Sequence, residues 1–110
     1  MGLRPSDIRK LALALPESTE EPHHEMTSFR VVGKIFATMP PEADRVHIFV
    51  SGDEVAAYCA EYPGTVEELW WGKRLSGCRL ILTPAKATRP LARELLTEAW
   101  RHKAPKKLVT

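Results

Sequence analysis

Ser28-Phe29-Arg30-Val31-Val32-Gly33-Lys34-Ile35-Phe36-Ala37-Thr38 decides the fold, because two runs rich in β-branched and aromatic residues flank a single glycine. With Gly33 and Lys34 as the central residues of a turn, Val32 faces Ile35, Val31 faces Phe36, Arg30 faces Ala37 and Phe29 faces Thr38. Glycine at the first of two central positions is what a type II′ turn demands, and the twist of that turn suits a hairpin. The chain is therefore expected to contain antiparallel sheet.

Working outward, Ser6 is placed to cap a helix to about Leu15, with Ile8, Leu11, Ala12 and Leu15 along one stripe and Pro16 ending it. Residues 17–25 read as an edge strand, since Pro22 lacks a ladder donor and the polar side chains discourage edge pairing. On the other side, Pro40 to Asp44 forms a stiff polar loop. Arg45 to Val50 then alternates Val46, Ile48 and Val50 with Arg45, His47 and Phe49, the period of a half-buried strand.

Ser51-Gly52-Asp53-Glu54 is a capping box that opens a second helix. Val55, Tyr58, Cys59 and Tyr62 form its apolar face, and Pro63-Gly64 closes it. Thr65 to Trp71 and Leu75 to Leu82 read as another hairpin around Gly72-Lys73-Arg74, with Cys78, Leu80 and Leu82 on one face. Thr88 caps a last helix to about His102, with Pro90 in its first turn and Leu91, Leu95, Leu96, Ala99 and Trp100 on its core side. The class is α+β, an antiparallel sheet of hairpins packed against helices.

A chain of 110 residues with 44% apolar and 27% charged residues is expected to form one domain over residues 1–110 with one core. Its charge is uneven. Residues 1–61 carry 6 basic and 10 acidic residues, net −4, and residues 62–110 carry 10 basic and 4 acidic, net +6. A basic half can steer a polyanion, although long basic side chains also serve as solvated surface. Two cysteines without a CxxC pair, no signal peptide and no apolar run near 20 residues point to a reducing cytoplasm and no membrane partner.

Glu20, Glu21, His23, His24 and Glu25 include the donor types of a divalent metal site. Neighbours on a strand point to opposite faces, so the spacing favours a polar edge strand and no metal is expected. Cys59 and Cys78, with His47, include the groups of a thiol site, but both cysteines sit on apolar faces, where they act as small hydrophobes. No nucleophile elbow, phosphate loop, dinucleotide fingerprint or HExxH pair occurs. No catalytic residue and no cofactor are expected.

Trp70-Trp71-Gly72-Lys73-Arg74 puts aromatic faces beside basic heads at a hairpin tip, the pairing used to stack on bases and contact phosphates. Alternation sends one tryptophan into the core and leaves the other for stacking. Arg79, Arg101, Lys103, Lys106 and Lys107 can add phosphate contacts, with Glu98 also available to pair Arg101.

The chain resembles the MmcQ/YjbR family of small bacterial proteins across nearly its whole length. Three blocks in order carry the resemblance: Leu13-Ala14-Leu15-Pro16 with the acidic stretch to His23-His24, then Ser28 to Ala37, then Glu98-Ala99-Trp100-Arg101-His102-Lys103-Ala104-Pro105-Lys106-Lys107-Leu108. The resemblance implies a fold similar to the bacterial frataxin CyaY and a DNA-binding role with a double-wing motif, the hairpins being the wings. Lys34, Lys73 and Arg74 would then meet phosphates, with Arg30 on the exposed sheet face. The alternative is a protein-interaction or small-ligand module on the sheet face around Arg30, His47, Trp70 or Trp71, and Arg79.

Overall fold

The computed structural model describes residues 3–42, 44–82 and 87–109. In chain order these form α1 (Pro5–Leu13), β1 (Ser18–His23), β2 (Met26–Val31), β3 (Lys34–Met39), β4 (Arg45–Ile48), α2 (Gly52–Glu61), β5 (Val66–Trp71), β6 (Arg74–Ile81), α3 (Arg89–Lys103) and a last turn α4 (Lys106–Val109). The six strands make one sheet in the order β1-β2-β3-β4-β6-β5, with every pair antiparallel. The α+β class holds.

The first hairpin turns at Val32 and Gly33, one residue earlier than the glycine rule placed it. Val31 pairs with Lys34 and Arg30 with Ile35. Both central residues have positive φ, 48° at Val32 and 80° at Gly33, the requirement of a type I′ turn. Glycine therefore serves as the second central residue. A bulge follows: the ladder passes from Arg30–Ile35 to Phe29–Ala37, and the extra residue Phe36 is buried together with Ala37. The second hairpin repeats the device, passing from Trp70–Leu75 to Leu69–Gly77 over Ser76. Bulges bend and twist a pair locally.

α1 starts earlier than expected, and its cap is not Ser6. Pro5, whose fixed φ suits the first helical position, begins the helix, and the Asp7 carboxylate accepts from the Arg4 amide at 2.9 Å. The buried Asp7 also takes the Arg89 guanidinium at 2.7 Å, tying the start of α1 to that of α3. Farther along, the Trp100 indole donates to the Pro16 carbonyl at 2.9 Å. The α2 capping box forms as read, with Glu54 N–H donating to Ser51 Oγ at 3.3 Å and Ser51 N–H to the Glu54 carboxylate at 2.9 Å. Thr88 caps α3.

The core lies between the helices and one sheet face. Ile8, Leu11 and Ala12 of α1 and Leu91, Leu95, Leu96, Ala99 and Trp100 of α3 join Phe29, Val31, Phe36, Val46, Ile48 and Leu80 of the sheet in one buried cluster. Alternation sends the intervening residues to the other face. There a cross-strand row runs through Glu21, Ser28, Thr38, His47, Arg79 and Glu67. Among the described residues, no helix is long and apolar enough to cross a membrane.

Candidate functional site

The shortness of β4 creates the site. It pairs with β3 only at Ala37 and Thr38 and with β6 only from Cys78 to Ile81. The first residues of β3 and of β6 therefore run on without a strand between them. Both strands are antiparallel to β4 and so run the same way, which puts their turns, Val32-Gly33 and Gly72-Lys73, at the same end of the sheet. The chain crosses the gap as Phe49 to Gly52, with the Phe49 amide donating to the Phe36 carbonyl at 3.1 Å. Gly77 permits this crossing, since a Cβ there would overlap the Ile48 carbonyl oxygen and stand 3.0 Å from Phe49 Cα.

A cleft of about 490 Å³ is lined by this crossing. Ile35 and Thr38 contribute from one hairpin and Trp71, Arg74 and Ser76 from the other, while His102 and Lys103 arrive at the end of α3. The Phe49 and Trp71 rings meet edge to face, with centroids 5.7 Å apart.

One expectation fails here: neither tip tryptophan is core. Trp70 is 50% exposed and Trp71 59% exposed. The alternation rule assumes that one face of a strand is covered along its whole length, whereas the hairpin tip extends past the end of β4. The Trp70 indole N–H instead donates to the Glu68 carboxylate at 3.2 Å, and the Trp71 ring meets that of Phe49.

The basic candidates divide by partner. Lys34, Lys73 and Arg74 are exposed at the hairpin end, Lys103 is half-buried in the cleft, and none of these four makes an ion pair among the described residues. Lys106 and Lys107 are exposed on α4. Arg30 and Arg79 are half-buried on the open sheet face and already engaged, Arg30 with Ser28 Oγ at 3.0 Å and Arg79 with Glu67 at 3.1 Å. The Arg79 Nε is buried with no partner among the described residues. The basic residues after Tyr62 do not make one patch: Arg89 pairs with Asp7 at the start of α3, about 20 Å from Lys103 at its end. Lys86 lies outside the described residues.

Beside the cleft, α2 and α3 meet through acidic groups. The Glu54 carboxylate accepts from the Ser51 amide and from His102 Nε2, the latter at 2.5 Å. Burial opposes ionisation of Glu54, yet these hydrogen bonds draw its pKa down to about 2. Burial and the neighbouring Glu54 charge push Glu98 up. The cysteines are free, and burial raises both thiols, that of Cys78 to about 12. Thiols held protonated are poor nucleophiles. His47 shares the row with Arg79 on the face opposite Cys78, so the imagined thiol site is not assembled. His23 ends β1 and His24 lies in the following turn. Among the described residues no three His, Cys, Asp or Glu side chains are grouped as a metal would need.

The sequence profile of the YjbR family matches residues 13–102. The chain belongs to the YjbR family. A crystal structure of Deinococcus radiodurans protein DR2400, a DUF419 domain, is similar to this YjbR-family chain, with a TM-score of 0.72 and 20% identity over 88% of this chain and 75% of that chain. At that identity the likeness concerns the fold. No curated protein matches the chain. The family match takes in both hairpins and most of the cleft and stops before Lys103, Lys106 and Lys107.

Sequence reading missed Phe49, Ser51 and His102 as parts of one cleft. Phe49 carried only the signal of a strand residue on the solvent side, because the gap it crosses exists only once β4 has stopped short of its neighbours.

Proposed function

We propose that this YjbR-family protein binds DNA weakly and mainly through phosphates, with its two hairpins as wings and without a catalytic step. The observation that supports the reading is the gathering of Lys34, Lys73, Arg74 and Lys103, four cations without ion-pair partners among the described residues, with two exposed tryptophans at one end of the sheet. Unpaired cations can neutralise phosphates and release counterions without first breaking a protein ion pair. Arg30 and Arg79 are engaged within the sheet face and contribute less. Lys106 and Lys107 on α4 extend the basic end.

The tryptophans favour unpaired over duplex DNA, because each needs an exposed base face and a stacked base contributes roughly 1–3 kcal/mol. Four phosphate contacts on a single strand correspond to a slope of log K against log salt of about −3. Fluorescence anisotropy of labelled single-stranded and duplex oligonucleotides, starting at about 50 mM salt, tests the reading. The Lys73→Ala, Arg74→Ala double variant is expected to roughly halve the slope. Absence of saturable binding to either oligonucleotide, or an unchanged slope in the variant, rejects the proposal.

A further inference from the structure

We infer that the cleft between the hairpins is a pocket for one nucleotide unit, with the base against Trp71 and the phosphate held by Arg74 and Lys103. The inference rests on the proposed function for the phosphate-bearing class of ligand, and on the cleft for everything else. A volume of about 490 Å³ falls within the range of small-molecule sites, roughly 300–1,000 Å³. Such sites combine apolar walls with a few polar groups that fix orientation. Here the apolar walls include Ile35, Phe49, Leu75 and Trp71.

The Phe49 ring meets Trp71 at 64° and braces it, while the indole remains 59% exposed and so offers a face for a planar ring. Arg74 and Lys103 reach the same cleft from different elements, and neither is committed to a carboxylate among the described residues. Among the described residues no carboxylate lines the cleft, and that of Glu54, which follows the lining residues Ser51 and Gly52, is turned to the Ser51 amide and His102. Ser51 Oγ accepts from the Glu54 amide, which leaves its own hydrogen available to a ligand oxygen.

A free mononucleotide and the phosphorylated end of a strand present the same chemistry. Titration of the protein with adenosine monophosphate, ribose 5-phosphate and inorganic phosphate, followed by the three tryptophan indole N–H resonances, tests the pocket. The Trp71 resonance is expected to shift saturably with adenosine monophosphate, while that of the buried Trp100 stays in place. Ribose 5-phosphate, which lacks the base, is expected to bind roughly tenfold more weakly.

Trp71→Ala, at an exposed position where folding is not at stake, is expected to weaken adenosine monophosphate by about the same factor and to leave inorganic phosphate unchanged. Arg74→Gln weakens all three ligands. No saturable shift up to about 10 mM adenosine monophosphate, or wild-type affinity in Trp71→Ala, overturns the inference. If oligonucleotides bind and adenosine monophosphate does not, the pocket falls and the proposed function stands. If adenosine monophosphate binds and no oligonucleotide does, the pocket stands and the proposed function falls. Tighter binding of a 5′-phosphorylated than of a 5′-hydroxyl oligonucleotide marks the strand end as the ligand; equal binding marks the free nucleotide.

Discussion

Val32 holds a left-handed backbone conformation with a β-branched side chain, a combination that costs about 1–2 kcal/mol relative to an ordinary strand residue. Its side chain is 60% exposed, so packing does little to offset that cost. Val32→Asn restores the residue preferred before glycine in a type I′ turn and is expected to add about 1 kcal/mol and raise Tm by about 5 °C in a thermal melt. A lower Tm would place the strain elsewhere. Gly77 is the opposite case. Gly77→Ala forces a methyl group against the Ile48 carbonyl and is expected to cost about 2 kcal/mol in urea unfolding. Gly52→Ala, where the added carbon meets only a Leu75 methyl at 3.8 Å, serves as the near-neutral control.

At the scale of elements, the junction of α2 with α3 couples stability to pH. The Glu54 pKa is lowered on folding, so its contribution is present above the ordinary value of 4.5 and is lost as pH falls toward about 2. Glu98 is shifted the other way: folding favours its protonated form, and that contribution is lost as pH rises through its elevated pKa. Glu98→Gln, which keeps a neutral group beside Glu54, is expected to raise the urea midpoint at about pH 7 and to lose that gain near pH 4. Equal effects at both pH values would mean that Glu98 charge is not the cause.

The same elements show what was legible in sequence. The Ser51–Glu54 box and the Thr88 cap were readable because a cap is a short-range contact between residues three apart. The Val32-Gly33 turn lies one residue earlier than the glycine rule places it because both registers put Val31 and Phe36 on the same face, so the pattern of buried residues does not choose between them, and the bulge at Phe36 leaves no local signal.

Across the whole molecule, charge is sorted by position more than by amount. The acidic β1 forms one sheet edge, where Arg9 pairs with Glu20 at 2.7 Å, and the hairpin end collects cations that have no such partners among the described residues. Position should therefore decide the salt response. Arg93→Ala, on the exposed side of α3, is expected to leave the salt slope of oligonucleotide binding unchanged while the Lys73→Ala, Arg74→Ala variant flattens it. Equal flattening by Arg93→Ala would reduce the interaction to net charge.

Periodicity, caps and turn residues in the sequence determined the α+β class, the three longer helices and most strand positions, because those signals act between residues a few positions apart. Only the tertiary structure decided that β4 stops short of its neighbours, that both tip tryptophans stay exposed and that Arg74 and Lys103 share a cleft. Each of these depends on where non-neighbouring strands end relative to one another. Strand ends are set by packing across the sheet, and local patterning carries no record of them.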